Sequence, residues 1–205
     1  MYLNRAFFAA DPVLVAQQLV GAVLEVTGPD GQRCSGRLVE VEAYGGPDDP
    51  ASHAGGGSTP RSAIMFGPCG VAYVYFIYGM HHCLNFVTGP PGTAGAVLIR
   101  ALEPLSGRRG MALRRGLDPA RCADRELAAG PGRLCRALGI DLGWNGLTVA
   151  AGSRAAPAAP GRLRLSAPTD RPLVVASPRV GVRRAADRPW RFCDPGSACL
   201  SRPAR

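Results

Sequence analysis

The sequence predicts an α+β fold: one domain with a curved, mainly antiparallel sheet and peripheral helices. Three observations lead there. Two stretches read as strand, tight turn, strand. The helical patterns between and around them are short. The chain has 205 residues, which suits a single domain, 1–205, with a sizeable core.

The elements follow in order. Asp11 before Pro12 is an N-cap followed by proline at the first helical position, and Val13, Leu14, Leu19 and Val20 mark a helix of about two turns ending near Gly21. A strand, "AVLEV", a turn at "GPDGQ" and a strand over residues 35 to 44 make the first hairpin. Residues 45 to 62 form a long Gly-rich loop, a length that in a compact domain usually goes with function. "VAYVYFIYGMHHCLNFVT" is the second hairpin, with its tip at Tyr78-Gly79-Met80. "GAVLIRALEPL" is a strand expected to run into a helix near Pro104. "ADRELAAGPGRLCRALGI" reads as two helical pieces broken at Gly130-Pro131-Gly132. Residues 150 to 162 are expected as a low-complexity loop, and "SPRVGV" near the end as a short apolar strand.

Composition narrows the function. Net charge is +9, and every basic residue is arginine. A GC-rich genome explains the missing lysine, but the positive sign itself points to a polyanionic partner. The apolar N-terminal stretch is interrupted by Asp11, Gln17 and Gln18, so it is neither a membrane span nor a signal segment. A cytoplasmic protein with no membrane partner is expected. The seven cysteines are odd in number and contain no C-x-x-C, which argues against a disulfide framework or a zinc site. "GPCGVAY" lacks the second cysteine and the upstream H-x-E of a zinc deaminase. No metallopeptidase, serine-hydrolase or P-loop motif occurs, and His81 and His82 are adjacent and so point opposite ways on a strand. No metal and no cofactor are expected.

The chemistry gathers on "VEVEAYGGPDDPASHA". On a strand, Glu40, Glu42 and Tyr44 share one face, and Val39, Val41 and Ala43 share the core face. The ordinary expectation is that such glutamates face water. A tyrosine ending the same row, and the long loop after it, favour a hydrolytic pocket instead: a base for water beside a flat surface for a ring. The second hairpin concentrates aromatics at Tyr73, Tyr75, Phe76 and Tyr78. Strand propensity accounts for most of that, but Tyr78 sits at the tip, where a bulky side chain can wedge into a base stack.

Several segments, in order and over most of the chain, resemble the alkyladenine (3-methyladenine, methylpurine) DNA glycosylase family: "LNRAFFAADPVLVAQQLVG", "GRLVEVEAYGGPDDPASHA", "TPRSAIMF", "VAYVYFIYGMHHCLNF", "GAVLIRALEPL", "LAAGPGRLCRALGI" and "PRVGV" with "PWRF". The resemblance implies an enzyme that removes alkylated and deaminated purines from duplex DNA by flipping the nucleotide out. It implies Glu42 as the general base that readies a water for C1′; spacing alone leaves Glu40 and Glu42 open. It implies Arg100 and the backbone carbonyl of Val180 as further contacts to that water. Tyr44, His53 and Tyr75 become the walls around the flipped base, and the backbone around Ala51 and His53 reads its edge. Asn85 crowds the 2-amino group of guanine, and Tyr78 fills the gap left in the duplex. His81 and the 150–162 segment depart from the family pattern.

The implied partner is double-stranded DNA containing damaged purines, with the protein a monomer and nucleoid-associated in a bacterial-type cytoplasm. Two other readings compete. One is a non-catalytic binder of damaged or distorted DNA. The other is a small-molecule hydrolase or transferase whose arginines hold a phosphorylated substrate, which would lack the steep salt dependence of duplex binding.

Overall fold

The computed structural model describes residues 1–149 and 159–204. Helix α1 (Arg5–Phe8) is capped by Asn4, which accepts from Phe7 N–H at 3.2 Å. Helix α2 (Pro12–Leu19) is capped by Asp11, which accepts from Val13 N–H at 2.8 Å. Strands β1 (Val23–Thr27) and β2 (Arg33–Tyr44) form the first hairpin, whose turn uses Gly31 at φ +77°. After the long loop and a short 3-10 turn at Ala63–Phe66 come β3 (Ala72–Ile77), β4 (His81–Val87) and β5 (Ala96–Ser106). Helices α3 (Arg108–Arg115), α4 (Asp124–Ala128) and α5 (Pro131–Leu138) follow, and α5 lies against β4 and β5. Strands β6 (Arg162–Ser166), β7 (Val175–Ser177) and β8 (Arg191–Cys193) complete the chain.

All strand pairs are antiparallel, in the order β3-β4-β5-β2-β1-β6. The long β2 is the hinge of this curled sheet. One edge pairs with β5 throughout, and the other pairs first with β1 and then with β8, which β7 extends. Of the three irregularities in the β2–β5 register, the two at Val39 and at Arg100 reset the alternation beside the glutamates. In consequence Leu38, Val41 and Ala43 enter the main core. Val39, expected beside Val41 and Ala43, instead joins a small cluster with Ala101, Cys193, Cys199 and Leu200.

Two other boundaries differ from expectation. Pro104 does not begin a helix; it stays in β5 opposite Gly36, at a register irregularity where its missing N–H is tolerated, and α3 starts four residues later after Gly107 at φ +73°. "PRVGV" is not a strand: β7 lies just before it, and Val180-Gly181 turns, with Gly181 at φ +76°. Of the expected 150–162 loop, residues 150–158 lie outside the described residues, and Arg162 already belongs to β6.

All seven cysteines are buried and free. Among the described residues no helix is long and apolar enough to cross a membrane, and no group of three or more His, Cys, Asp or Glu is placed to hold a metal ion.

Candidate active site

The register of four neighbouring strands builds the site. Glu42 on β2 lies opposite Leu98 on β5, Leu98 opposite Asn85 on β4, and Asn85 opposite Tyr73 on β3. Directly opposed residues share a face, so one cross-strand row carries a carboxylate, an apolar spacer, an amide and a phenol. The next row adds Tyr75 opposite Cys83.

Above these rows is a cavity of about 820 Å³, room for a nucleotide-sized ligand. Tyr44, Ala51, His53, Tyr75, Tyr78, Asn85, Arg100 and Val180 all line it, so the structure brings together every site residue that the resemblance implies except one. That one is Glu42. It has no exposed surface and sits one contact behind the wall. Its Oε1 accepts from Val180 N–H at 2.6 Å, and its Oε2 accepts from the Tyr44 hydroxyl at 2.9 Å and from Arg100 Nη1 at 3.2 Å. Neither glutamate faces water, as half-exposed strands ordinarily have it: both Glu40 and Glu42 are fully buried. A buried carboxylate needs such donors, because burial otherwise disfavours its charge.

Spacing left Glu40 and Glu42 equivalent; their surroundings do not. Glu40 is covered by the C-terminal segment. It accepts from Ser201 N–H at 2.6 Å, Ser201 Oγ at 2.7 Å, Arg191 Nε at 2.8 Å and Arg100 Nε at 2.8 Å. Burial works against its charge, but Arg100 and then Arg191 and Ser201 outweigh it and hold the carboxyl below its ordinary range. The register irregularity at Arg100 lets its single guanidinium reach both glutamates.

Val180 meets Glu42 through its N–H, a contact that sequence comparison with the family did not imply; only a carbonyl role was expected there. The Ala51 N–H, expected at the base edge, donates to Asp49 Oδ1 at 3.3 Å. Asn85, 3% exposed, fixes its amide by donating to the Tyr73 carbonyl at 3.0 Å.

The aromatic walls are cross-braced. His53 Nδ1 lies 2.9 Å from the Tyr73 hydroxyl, and its ring meets Tyr75 edge-on at 4.7 Å. Burial first, and then nearby Arg61, depress its pKa to about 4, so the ring is neutral at physiological pH. Burial and the neighbouring Glu42 carboxylate push the Tyr44 hydroxyl well above its ordinary range, so it stays a donor.

At the mouth, Arg115, Arg133, Arg183 and Arg184 line the cavity and Arg61 lies over the Tyr75 ring at 4.9 Å. The β3–β4 tip projects beside them: Tyr78 is 81% exposed and Met80 68%. Tyr78 adopts φ +55°, unusual for a bulky residue, and Gly79 φ +67°. His81, the departure from the family pattern, also lines the cavity, against Gly132 of α5.

No local pattern marks Arg179, Asp49 or Trp190. Arg179 pairs with Asp49, 130 residues away, and its guanidinium lies over the Tyr44 ring at 4.7 Å and the Trp190 ring at 5.1 Å.

A curled antiparallel sheet with a buried carboxylate behind an aromatic, arginine-rimmed cavity has the form of a hydrolase acting on a ring-bearing, anionic substrate. A family model of methylpurine-DNA glycosylases matches residues 6–198. A protein of Rhodopseudomonas palustris named "Putative 3-methyladenine DNA glycosylase" is 49% identical over 201 residues, covering 98% of this chain and 88% of its own. One of Nocardia farcinica with the same name is 49% identical over 196 residues, covering 93% and 86%. One of Anaeromyxobacter dehalogenans, again so named, is 46% identical over 215 residues, covering 100% and 88%. The chain belongs to the methylpurine-DNA glycosylase family and is a DNA glycosylase, a hydrolase of N-glycosyl bonds.

Proposed function

We propose that this enzyme excises alkylated and deaminated purines, 3-methyladenine and hypoxanthine among them, from duplex DNA after flipping the nucleotide into the cavity, as a monofunctional base-excision repair glycosylase. The observation that carries the reading is the setting of Glu42. Its carboxylate accepts from three donors directly behind a cavity walled by Tyr44, His53 and Tyr75.

The mechanism follows from these groups. Glu42 accepts a proton from a water, the water oxygen bonds to C1′, and the C1′–N bond breaks with its electron pair leaving on the base. A cationic alkylpurine leaves neutral, so one carboxylate suffices where glycosidases use two. Arg100, which donates to Glu42, helps hold the water and the phosphate nearby. Stacking on the walls, about 1–3 kcal/mol per base, offsets the few kcal/mol of unstacking. Tyr78 fills the gap in the duplex, and the arginines at the mouth hold phosphates. Asn85 leaves no room for a 2-amino group. A duplex DNA partner supports a nucleoid-associated location in the cytoplasm.

Monofunctionality rests on the amine inventory. No lysine is present to form a Schiff base, and arginine stays protonated. Residue 1 lies beside β6, at the sheet edge opposite β3.

The experiment is a panel of duplexes, each with one modified purine or a normal guanine, scored for abasic sites cut by hot alkali. Release of modified purines with guanine spared, strand breaks only after alkali, and no borohydride-trapped protein–DNA adduct support the reading. A trapped adduct refutes monofunctionality. One observation favours a second reading, a non-catalytic binder of damaged DNA: Glu42 has no surface on the cavity as it stands. Saturable lesion binding with no base released would establish that reading instead.

A further inference from the structure

Glu42 is held by a backbone N–H, and a backbone donor is only as well placed as its segment. The segment that carries Val180 is anchored by the residue before it. Arg179 Nη1 donates to Asp49 Oδ2 at 2.6 Å and Nη2 donates to Asp49 Oδ1 at 2.8 Å, with the two side chains 0% and 1% exposed. Nη1 also donates to the Ala43 carbonyl at 3.0 Å, one residue from Glu42. Asp49 in turn accepts from Gly45 N–H at 3.0 Å, which closes the loop back onto the end of β2. Gly45 has little room: a Cβ there would lie 3.3 Å from Asp49 Cβ. The guanidinium lies over both the Tyr44 and Trp190 rings, and its Nε is buried with no hydrogen-bond partner among the described residues. An arginine kept there with one donor unpaired is constrained by position more than by its own hydrogen bonding.

Neither Arg179 nor Asp49 lines the cavity. Resting on the reading of Glu42 as the base, we infer that Arg179 and Asp49 are a positioning pair: their fork fixes the Arg179-Val180-Gly181 turn against the end of β2, so that the Val180 N–H holds Glu42. The pair acts on the chemical step through Glu42, with no contact to the DNA.

The test is a variant cycle on the full chain, using Arg179→Lys, which keeps charge and loses the fork, and Asp49→Asn, which keeps size and one acceptor. Each is made alone and in a Glu42→Gln background. The probe is a duplex with one hypoxanthine, read for single-turnover base release at saturating protein and for dissociation constant. Each single variant is expected to slow release on the order of 10²-fold, the usual cost of misplacing a catalytic group by an ångström, with binding changed less than about threefold. In the Glu42→Gln background neither variant should slow the residual release further, because residues that act as one unit are non-additive.

Release at the wild-type rate in both variants overturns the inference. So does lesion binding lost in step with rate, or an equal further loss in the Glu42→Gln background; each of these marks a purely structural pair. Failure of both variants to fold has the same meaning. Wild-type release by Glu42→Gln alone refutes the reading of Glu42 itself, and is read from a different variant.

Discussion

The hydroxyl of Tyr44 donates to Oε2 of Glu42 at 2.9 Å, joining a cavity wall to the carboxylate two residues before it on the same strand. The ring and the hydroxyl have separable duties. The ring stacks on the flipped base, and the hydroxyl occupies one carboxylate oxygen. Tyr44→Phe is expected to keep single-turnover base release within about tenfold of wild type. Tyr44→Ala should weaken lesion binding by about 1–3 kcal/mol, roughly 5- to 150-fold. Equal losses in the two variants would mean that the hydroxyl, not the ring, matters.

Glu40 is a structural carboxylate. Glu40→Gln leaves Arg100 and Arg191 buried beside a neutral group, which should cost on the order of 3 kcal/mol of stability. For a chain of this length that lowers Tm by roughly 6–12 °C in a thermal unfolding experiment. Below that temperature, base release should fall far less than in Glu42→Gln. The reverse order of activity losses would move the base to Glu40.

Much of this was legible in the sequence because it is local. Alternation set Glu42 and Tyr44 on one face, two turn signals gave two hairpins, and Tyr78 beside Gly79 marked a tip. What was not legible is long-range. Asp49 and Arg179 are 130 residues apart, Glu40 and Arg191 are 151 apart, and no spacing rule joins them. The register irregularities at Val39 and Arg100 hid both the separate packing of Val39 and the reach of Arg100 to two glutamates. Alternation alone cannot bury both glutamates, because the segments that cover them, 179–181 and 199–203, come from the far end of the chain.

His53 should not titrate in the physiological range. Its folded pKa is depressed from 6.5 to about 4, chiefly by burial. The sign follows: the fold favours the neutral ring, so this contribution to stability is full above pH 6.5 and is lost as pH falls toward about 4. An NMR titration of the imidazole carbon-bound protons should show no His53 transition between pH 8 and 5. A midpoint near 6.5 would contradict the buried, Tyr73-bonded placement.

Tyr78 carries backbone strain at φ +55° for the sake of its position. Tyr78→Gly should relieve it and raise stability by about 1 kcal/mol, while reducing flipping of a fluorescent base analogue at the lesion. Non-specific DNA affinity, carried by arginines, should change little. Unchanged flipping would remove Tyr78 from the wedge role.

Glu42 is tested most directly by comparing Glu42→Gln with wild type on a duplex containing one hypoxanthine, measuring single-turnover base release and dissociation constant on the same preparation. The predicted result is a loss in rate of about 10² to 10⁴ with lesion binding nearly unchanged. Release at the wild-type rate, or a rate loss matched by an equal loss of binding, would contradict it.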